Sequence, residues 1–312
     1  MLQGSASYCE RFWGPRTDDV LRACLITLAA SKDRTTLVDV PRLLSDREWR
    51  EQLAGDYSDP VGLDPFWEWY DALGQAGQMQ AIAPLLNKLR AFLLRRPVRA
   101  ILGQPRTTLD VPRCLDEGRL LLVRLPKGTL GEDSSRLLGS FVVARIWQAA
   151  LARAARAPER RPDCGLYVDE VHNYMTLPTP LGDMLAEARK YRLSLCLAHQ
   201  HLGQLRRELR DALTNARTKI YFQLSPEDAA ALRHEVQPEL DAYDLEHLAA
   251  HHAAARVCTH GQATAAFTLA TVAPAAGDPE RAEQVRTSSR ARIGTAREQV
   301  ETFLADRHGP PA

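Results

Sequence analysis

No apolar run in this 312-residue chain approaches the roughly 20 residues that a membrane-spanning helix needs; the nearest, 21–30, is too short. The stretch 1–16 mixes polar and aromatic residues and does not read as a secretory leader. Six cysteines (Cys9, Cys24, Cys114, Cys164, Cys196, Cys258) are scattered without any C-x-x-C spacing, which argues against a disulfide framework and for a reducing cytoplasm. Charge of one sign is missing too. The net charge of +1 excludes a wholly basic nucleic-acid coat but leaves room for local stripes, and arginines cluster at 153–161 and 205–219. Only five of the 40 basic residues are lysines, and none of the five sits in a G-x-x-x-x-G-K-[S/T] loop. Pro126-Lys127-Gly128-Thr129-Leu130-Gly131 is the nearest approach, without the leading glycine or the Lys-Ser/Thr pair. These residues therefore contain no backbone cradle for phosphates. There is no internal repeat.

What remains is an ordinary globular composition, 45% hydrophobic and 25% charged, long enough for one large or two moderate domains. Residues 16–100 read as helical. Thr17-Asp18-Asp19 offers an N-cap and acidic first turn before an apolar run. A short helix is expected at 39–46, with Pro41 near its start and a second N-cap after it; another covers 65–73. A further one begins near 81 and carries Ile82, Leu85, Leu86, Leu89, Phe92 and Leu93 at helical spacing. The aromatic cluster Phe66-Trp67-Glu68-Trp69-Tyr70 reads as core packing, with base stacking as the other use of such residues.

From 109 the rhythm becomes strand, helix, strand. Strands are expected at 119–125, 166–168, 193–198 and 219–224, with helices at 132–155, 180–191 and 204–215. Continuous apolar strands alternating with helices mean a parallel α/β sheet. A terminal hairpin is expected from 254–259 and 265–272 around Gly261, then one polar helix over 279–306. His247, His251 and His252 fall in a stretch read as helical. The division expected is a helical region at 1–108, an α/β core at 109–273 and a polar helical tail at 274–312.

Ligands of open parallel sheets sit beyond the carboxyl ends of the strands. The first such tip carries Asp169-Glu170. One carboxylate can anchor Mg²⁺ beside nucleotide phosphates while its neighbour orients an attacking water; a pair of acids opening a helix is the other reading. The second carries Ala198-His199-Gln200-His201, where Gln200 either senses a terminal phosphate or faces solvent. H-x-H without further ligands is a poor zinc site. The third feature is cationic: Arg206, Arg207, Arg210, Arg217 and Lys219 lie before or at the opening of the next strand.

The order Leu166-Tyr167-Val168-Asp169-Glu170-Val171-His172-Asn173-Tyr174, Met184-Leu185-Ala186-Glu187-Ala188-Arg189-Lys190-Tyr191, Ala198-His199-Gln200-His201-Leu202-Gly203-Gln204-Leu205 resembles the C-terminal part of the DNA-pumping ATPases of the FtsK/HerA superclass. Within them it is most similar to the conjugative-transfer and type IV secretion coupling ATPases. Trp13-Gly14-Pro15-Arg16, Asp39-Val40-Pro41-Arg42-Leu43-Leu44 and Pro84-Leu85-Leu86-Asn87-Lys88-Leu89 resemble the helical insertion of that family. The resemblance implies a RecA-like parallel sheet flanked by helices, with an N-terminal all-helical insertion. It makes Asp169 the magnesium ligand, Glu170 the catalytic carboxylate of a Walker B pair and Gln200 the polar sensor, with Arg217 and Lys219 as candidates for the cation that a neighbouring subunit receives. It also implies ATP and Mg²⁺ as cofactors, DNA as substrate and a homo-hexameric ring. A cytoplasmic location peripheral to the inner face of the membrane, beside secretion-complex partners, follows from the same likeness. The family's Walker A loop, and the first strand of the sheet with it, is what these residues lack. The expectation is an incomplete sheet with an unfilled central position. On that expectation the chain is the downstream portion of a larger ATPase, inactive alone and completed by a Walker A-bearing segment. The alternative is a non-catalytic remnant that binds DNA or a partner.

Overall fold

The computed structural model describes residues 14–174 and 181–309, so Cys9, Trp13 and the expected helix start at 180 lie outside the described residues. The chain divides into two compact units, residues 1–109 with 283–312, and residues 110–282.

The first unit is helical: α1 Pro15–Ala30, α2 Val40–Ser45, α3 Arg47–Ala54, α4 Leu63–Ala72, α5 Gly74–Leu93 and α6 Arg96–Leu102. Helix α1 starts earlier than the Thr17-Asp18-Asp19 signal, because Pro15 occupies a first-turn position where a missing N–H costs nothing. Asp46 caps α3 as expected, accepting from the Trp49 amide at 3.0 Å. Helix α5 begins at Gly74, whose positive φ of 65° suits a residue without Cβ, and runs through Pro84. One apolar cluster joins α1 to α5 through Val20, Cys24, Leu43, Leu53, Tyr70 and Leu85. The aromatic segment belongs to it. Trp67 and Tyr70 are buried; Trp67 Nε1 donates to Thr27 Oγ1 at 3.0 Å and the Tyr70 hydroxyl to the Leu44 carbonyl at 2.8 Å. The buried Arg50 guanidinium lies 5.0 Å from the Tyr70 ring centre and pairs with Asp71.

The second unit contains α7 Val111–Asp116, α8 Lys127–Leu130, α9 Glu132–Ala152, β1 Cys164–Val168, α10 Leu181–Glu187, β2 Leu193–Leu197, α11 Arg207–Leu213 and β3 Lys219–Tyr221. It continues with α12 Pro226–Leu232, α13 Ala242–Glu246, β4 His252–Arg256, β5 Cys258–Thr259, β6 Gln262–Ala263 and β7 Phe267–Ala270. Strands β1 and β2 are parallel, in register from Cys164 opposite Leu193 to Val168 opposite Leu197. A separate antiparallel sheet has the order β3-β4-β7, and β5 and β6 form a small hairpin. The expected terminal hairpin is thus built as β4 with β7, tipped by β5 and β6, with His260 and Gly261 both at positive φ. Among the described residues, β2 pairs only with β1 and β3 only with β4, so the two groups of strands share no ladder.

Several local expectations are corrected. Residues 119–125 form no strand. Leu120 is 86% exposed, and a cavity of about 700 Å³, lined from both sides, separates the segment from β1. An apolar run pairs only where neighbouring layers also bury its side chains, and here that cover is missing. The His247-to-His252 stretch is not helical: His247 closes α13, His251 has φ 64° and His252 opens β4. Helices α12 and α13 have no counterpart among the elements expected from the sequence. Cys196 in β2 is exposed, whereas Cys24 is fully buried and its thiol pushed up to about 12 by burial.

The expected single C-terminal helix is two, α14 Pro279–Ile293 and α15 Arg297–His308. Helix α14 has no buried residue. Helix α15 packs in the first unit, burying Val300 and Leu304 with Val38 and flanked by Leu93 and Leu102.

Candidate functional site

Strand β1 is followed directly by Asp169 and Glu170, and the chain then turns through a short 3-10 segment, Val171–Asn173. Two hydrogen bonds extend the β1–β2 ladder past its ends and bind the two tips together. Ala198 N donates to the Val168 carbonyl and Val171 N to the Ala198 carbonyl, both at 2.9 Å. Val171 is fully buried beneath this crossing. Glu170 adopts a left-handed conformation, φ 53° and ψ 50°, which non-glycine residues take at an energetic cost and which clusters at functional turns.

The twist of the backbone there carries the Glu170 side chain across to the β2 tip. Gln200 Nε2 donates to Glu170 Oε1 at 2.5 Å, and Glu170 N donates to Asp169 Oδ1 at 3.0 Å. The Gln200 turn is itself held: Gln204 Oε1 accepts from Gln200 N and His201 N, and Asp228 Oδ2 accepts from Leu202 N at 3.0 Å. Asp169, Glu170 and Gln200, 30 residues apart in sequence, are therefore one cluster. Asp169 is exposed and Glu170 half-buried, leaving carboxylate oxygens that can meet a hydrated cation.

Other polar groups lie close to these strand tips. His172 Nδ1 lies 3.5 Å from Glu170 Oε2 without hydrogen-bond geometry. Burial, helped by the nearby Lys127, Arg136 and His201, lowers its pKa against the opposing pull of Glu170, so it is neutral at physiological pH. His199 is also lowered, chiefly by burial, and its Nδ1 has no partner. Asn173, 1% exposed, receives Lys127 Nζ and Arg136 Nε on its Oδ1, each at 3.4 Å. Gly139 of α9 is required by this corner, since a Cβ there would overlap the Tyr174 ring.

Arg217 is not brought to this cluster. Its guanidinium donates to the Gly261 carbonyl at 3.2 Å, and Lys219 pairs with Glu235. Nor is 153–161 a free basic stripe. Arg153 is buried and bonds Asp116, the Pro162 and Tyr191 carbonyls and Cys164 Sγ, while Arg161 donates to backbone carbonyls. Among the described residues no group of three or more His, Cys, Asp or Glu side chains could hold a metal ion. The donor set at the tips suits a cation that keeps most of its waters and takes one carboxylate, which is how Mg²⁺ binds beside phosphates. No helix among the described residues is long and apolar enough to cross a membrane.

No family model and no curated protein matches the sequence. Among solved structures the chain is similar to the plasmid coupling protein TrwB in complex with the non-hydrolysable GTP analogue GDPNP, with a TM-score of 0.52 and 15% identity, over 81% of this chain and 68% of that one. An unbound form of the same bacterial conjugative coupling protein gives 0.50 and 14% over the same shares. The genome packaging NTPase B204 from Sulfolobus turreted icosahedral virus 2, in complex with AMPPCP, gives a TM-score of 0.29 and 19% identity over 37% of this chain and 55% of that one. The chain thus has the fold of a conjugative coupling protein, an incomplete RecA-like α/β unit with a helical unit.

Proposed function

We propose that this chain supplies the hydrolytic carboxylates of a nucleotide-driven DNA-translocating motor of the coupling-protein kind. The observation that carries the reading is the Asp169–Glu170–Gln200 cluster, built at the joined tips of two parallel strands. In this reading Asp169 would hold Mg²⁺ beside the nucleotide phosphates. Glu170 takes the proton of the attacking water, and Gln200, already bonded to Glu170, orients that carboxylate and reports the terminal phosphate. When bound there, Mg²⁺ would supply charge that offsets the negative charge developing on the transferred phosphoryl group. Arg217, exposed beside the β5–β6 turn, is the side chain offered to a neighbouring subunit in a hexameric ring, where a guanidinium stabilises that same charge.

These 312 residues contain no loop to cradle the phosphates, and β2 and β3 belong to separate ladders. The same reading therefore has a strand bearing G-x-x-x-x-G-K-[S/T] enter between them from outside these residues. The purified chain should turn over Mg-ATP negligibly alone. Adding a polypeptide with such a strand should restore turnover, which Asp169→Asn and Glu170→Gln then each reduce on the order of a hundredfold or more. Restored turnover indifferent to both substitutions would sink this assignment; full activity of the isolated chain would sink only the need for a strand from outside these residues. Salt-sensitive DNA binding with no response to nucleotide under either condition would instead favour a non-catalytic binding role.

A further inference from the structure

Lys127, in α8 just after the 119–125 segment, and Arg136, in the first turns of α9, come from different elements and converge on one atom, Asn173 Oδ1, at 3.4 Å each. Arg136 also bonds Glu132 at 2.7 Å; Lys127 meets no carboxylate within ion-pair distance among the described residues. Two full positive charges on one neutral amide oxygen are poorly balanced, since that oxygen carries only a partial charge. The other end of the same amide is worse off. Asn173 Nδ2 is buried without a hydrogen-bond partner, which folded proteins rarely tolerate. Lys127, Asn173, Asp169 and Glu170 all line the same 700 Å³ cavity alongside β1.

We propose that Lys127, Arg136 and Asn173 form a subsite for a phosphate-type oxyanion on the Asp169–Glu170 side of this cavity. An oxyanion with several lone pairs would take both cations in charge-assisted bonds. With Oδ1 released, a half-turn of the Asn173 amide turns its two N–H donors to the same anion and ends their isolation. Asp169 and Glu170 repel a bare anion, so the ligand enters with a divalent cation between. This last point rests on the function proposed above; the contacts of the three basic and amide groups do not. The subsite is separate from the absent phosphate loop and would hold the terminal phosphate of the nucleotide or the phosphate it releases.

Calorimetric titration of the full chain with pyrophosphate, with and without Mg²⁺, tests it. Binding is expected to weaken roughly tenfold in Lys127→Ala and again in Arg136→Ala, the loss expected for a charged hydrogen bond. Arg145→Ala, on the exposed side of α9, should bind as the parent chain does. Lys127 is exposed, so its variant keeps the fold, checked by an unchanged melting curve. Pyrophosphate that binds equally to both variants, or not at all to the parent chain at millimolar concentration, overturns the subsite and leaves the hydrolytic reading standing. A Mg²⁺ enhancement that survives Asp169→Asn does the reverse. Competition separates the sources. Inorganic phosphate displaced by Mg-ATP identifies the nucleotide's own terminal phosphate, and phosphate retained against Mg-ATP identifies the released product.

Discussion

A carboxylate with no exposed surface has to be held by donors, and Asp39 is held by the Thr36 amide at 2.6 Å, the Thr36 hydroxyl at 3.1 Å, Arg307 Nε at 2.6 Å and His308 Nε2 at 3.1 Å. Burial pushes its pKa upward, but the bonds from His308, Arg307 and Thr36 together outweigh burial and hold it below the usual carboxylate value. The sign follows. A depressed acid contributes stability that is present above its unfolded pKa and is lost as pH falls through its folded one. Acidifying the intact chain below about pH 4 should therefore weaken the seat of α15 before the helical core gives way. Hydrogen exchange of the α15 amides, followed from pH 6 down to pH 2, measures this; protection that holds throughout that range would mean the carboxylate is not the anchor. Asp39→Ala leaves the partly buried Arg307 without its carboxylate, and about 3 kcal/mol should be lost from the helical unit in urea denaturation. Arg42 adds to the seat from the other side, donating to the Arg307 carbonyl while stacking 4.7 Å from the Trp49 ring centre.

Elements differ in how much of them the chain announces locally. The 3.6-residue pattern of the first hundred residues and the short apolar strands at 164–168 and 193–197 are local signals, and they put Asp169, Glu170 and Gln200 at strand tips before any contact is known. The cationic side of the cluster carries no such signal, because Lys127 and Arg136 reach Asn173 over separations of 46 and 37 residues. Helix α15 lies between these cases. Val300, Phe303 and Leu304 stand at i, i+3, i+4 within an Arg/Glu-rich stretch, but Asp39, which receives the helix, is 268 residues away from Arg307. The arginine cluster at 153–161 misled for a related reason: composition cannot tell a solvated guanidinium from one used as a pin. Arg153 joins the end of α9 to Asp116, to the start of β1 and to the residue before the β2 turn, with 3% of its side chain exposed. Arg153→Ala should cost the second unit about 3 kcal/mol, against less than about 1 kcal/mol for the exposed pair Arg207–Asp211. Thermal denaturation of the two variants compares them directly, and equal losses would make Arg153 an ordinary surface charge.

The sheet is where the whole molecule and its proposed activity meet. The strand groups β1-β2 and β3-β4-β7 are connected through α11 but share no ladder, and among the described residues β2 and β3 each have one side without a ladder partner. Open edges of this kind invite pairing with another chain. Ile220 and Phe222 beside the β3 edge are more than half exposed, so the invitation includes apolar surface. A strand taken up between β2 and β3 would close both edges at once, and its carboxyl end would emerge on the same side as Asp169 and Gln200 if it ran parallel to β1 and β2. On the function proposed above, activity and open edges are one problem: the β1–β2 crossing presets the acids, and a strand from another segment would bring the phosphate-holding element. Hydrogen exchange reads this without any catalysis. In the chain alone, the β2 and β3 amides that face away from their single partners should exchange as fast as loops. With the phosphate-loop polypeptide bound, protection should rise on β2 and β3 together, by the factor of roughly a hundred or more that one stable ladder bond confers when its opening costs about 3 kcal/mol. Protection confined to β3, or spread over the helical unit instead, would place the partner elsewhere and separate the hydrolytic cluster from the gap.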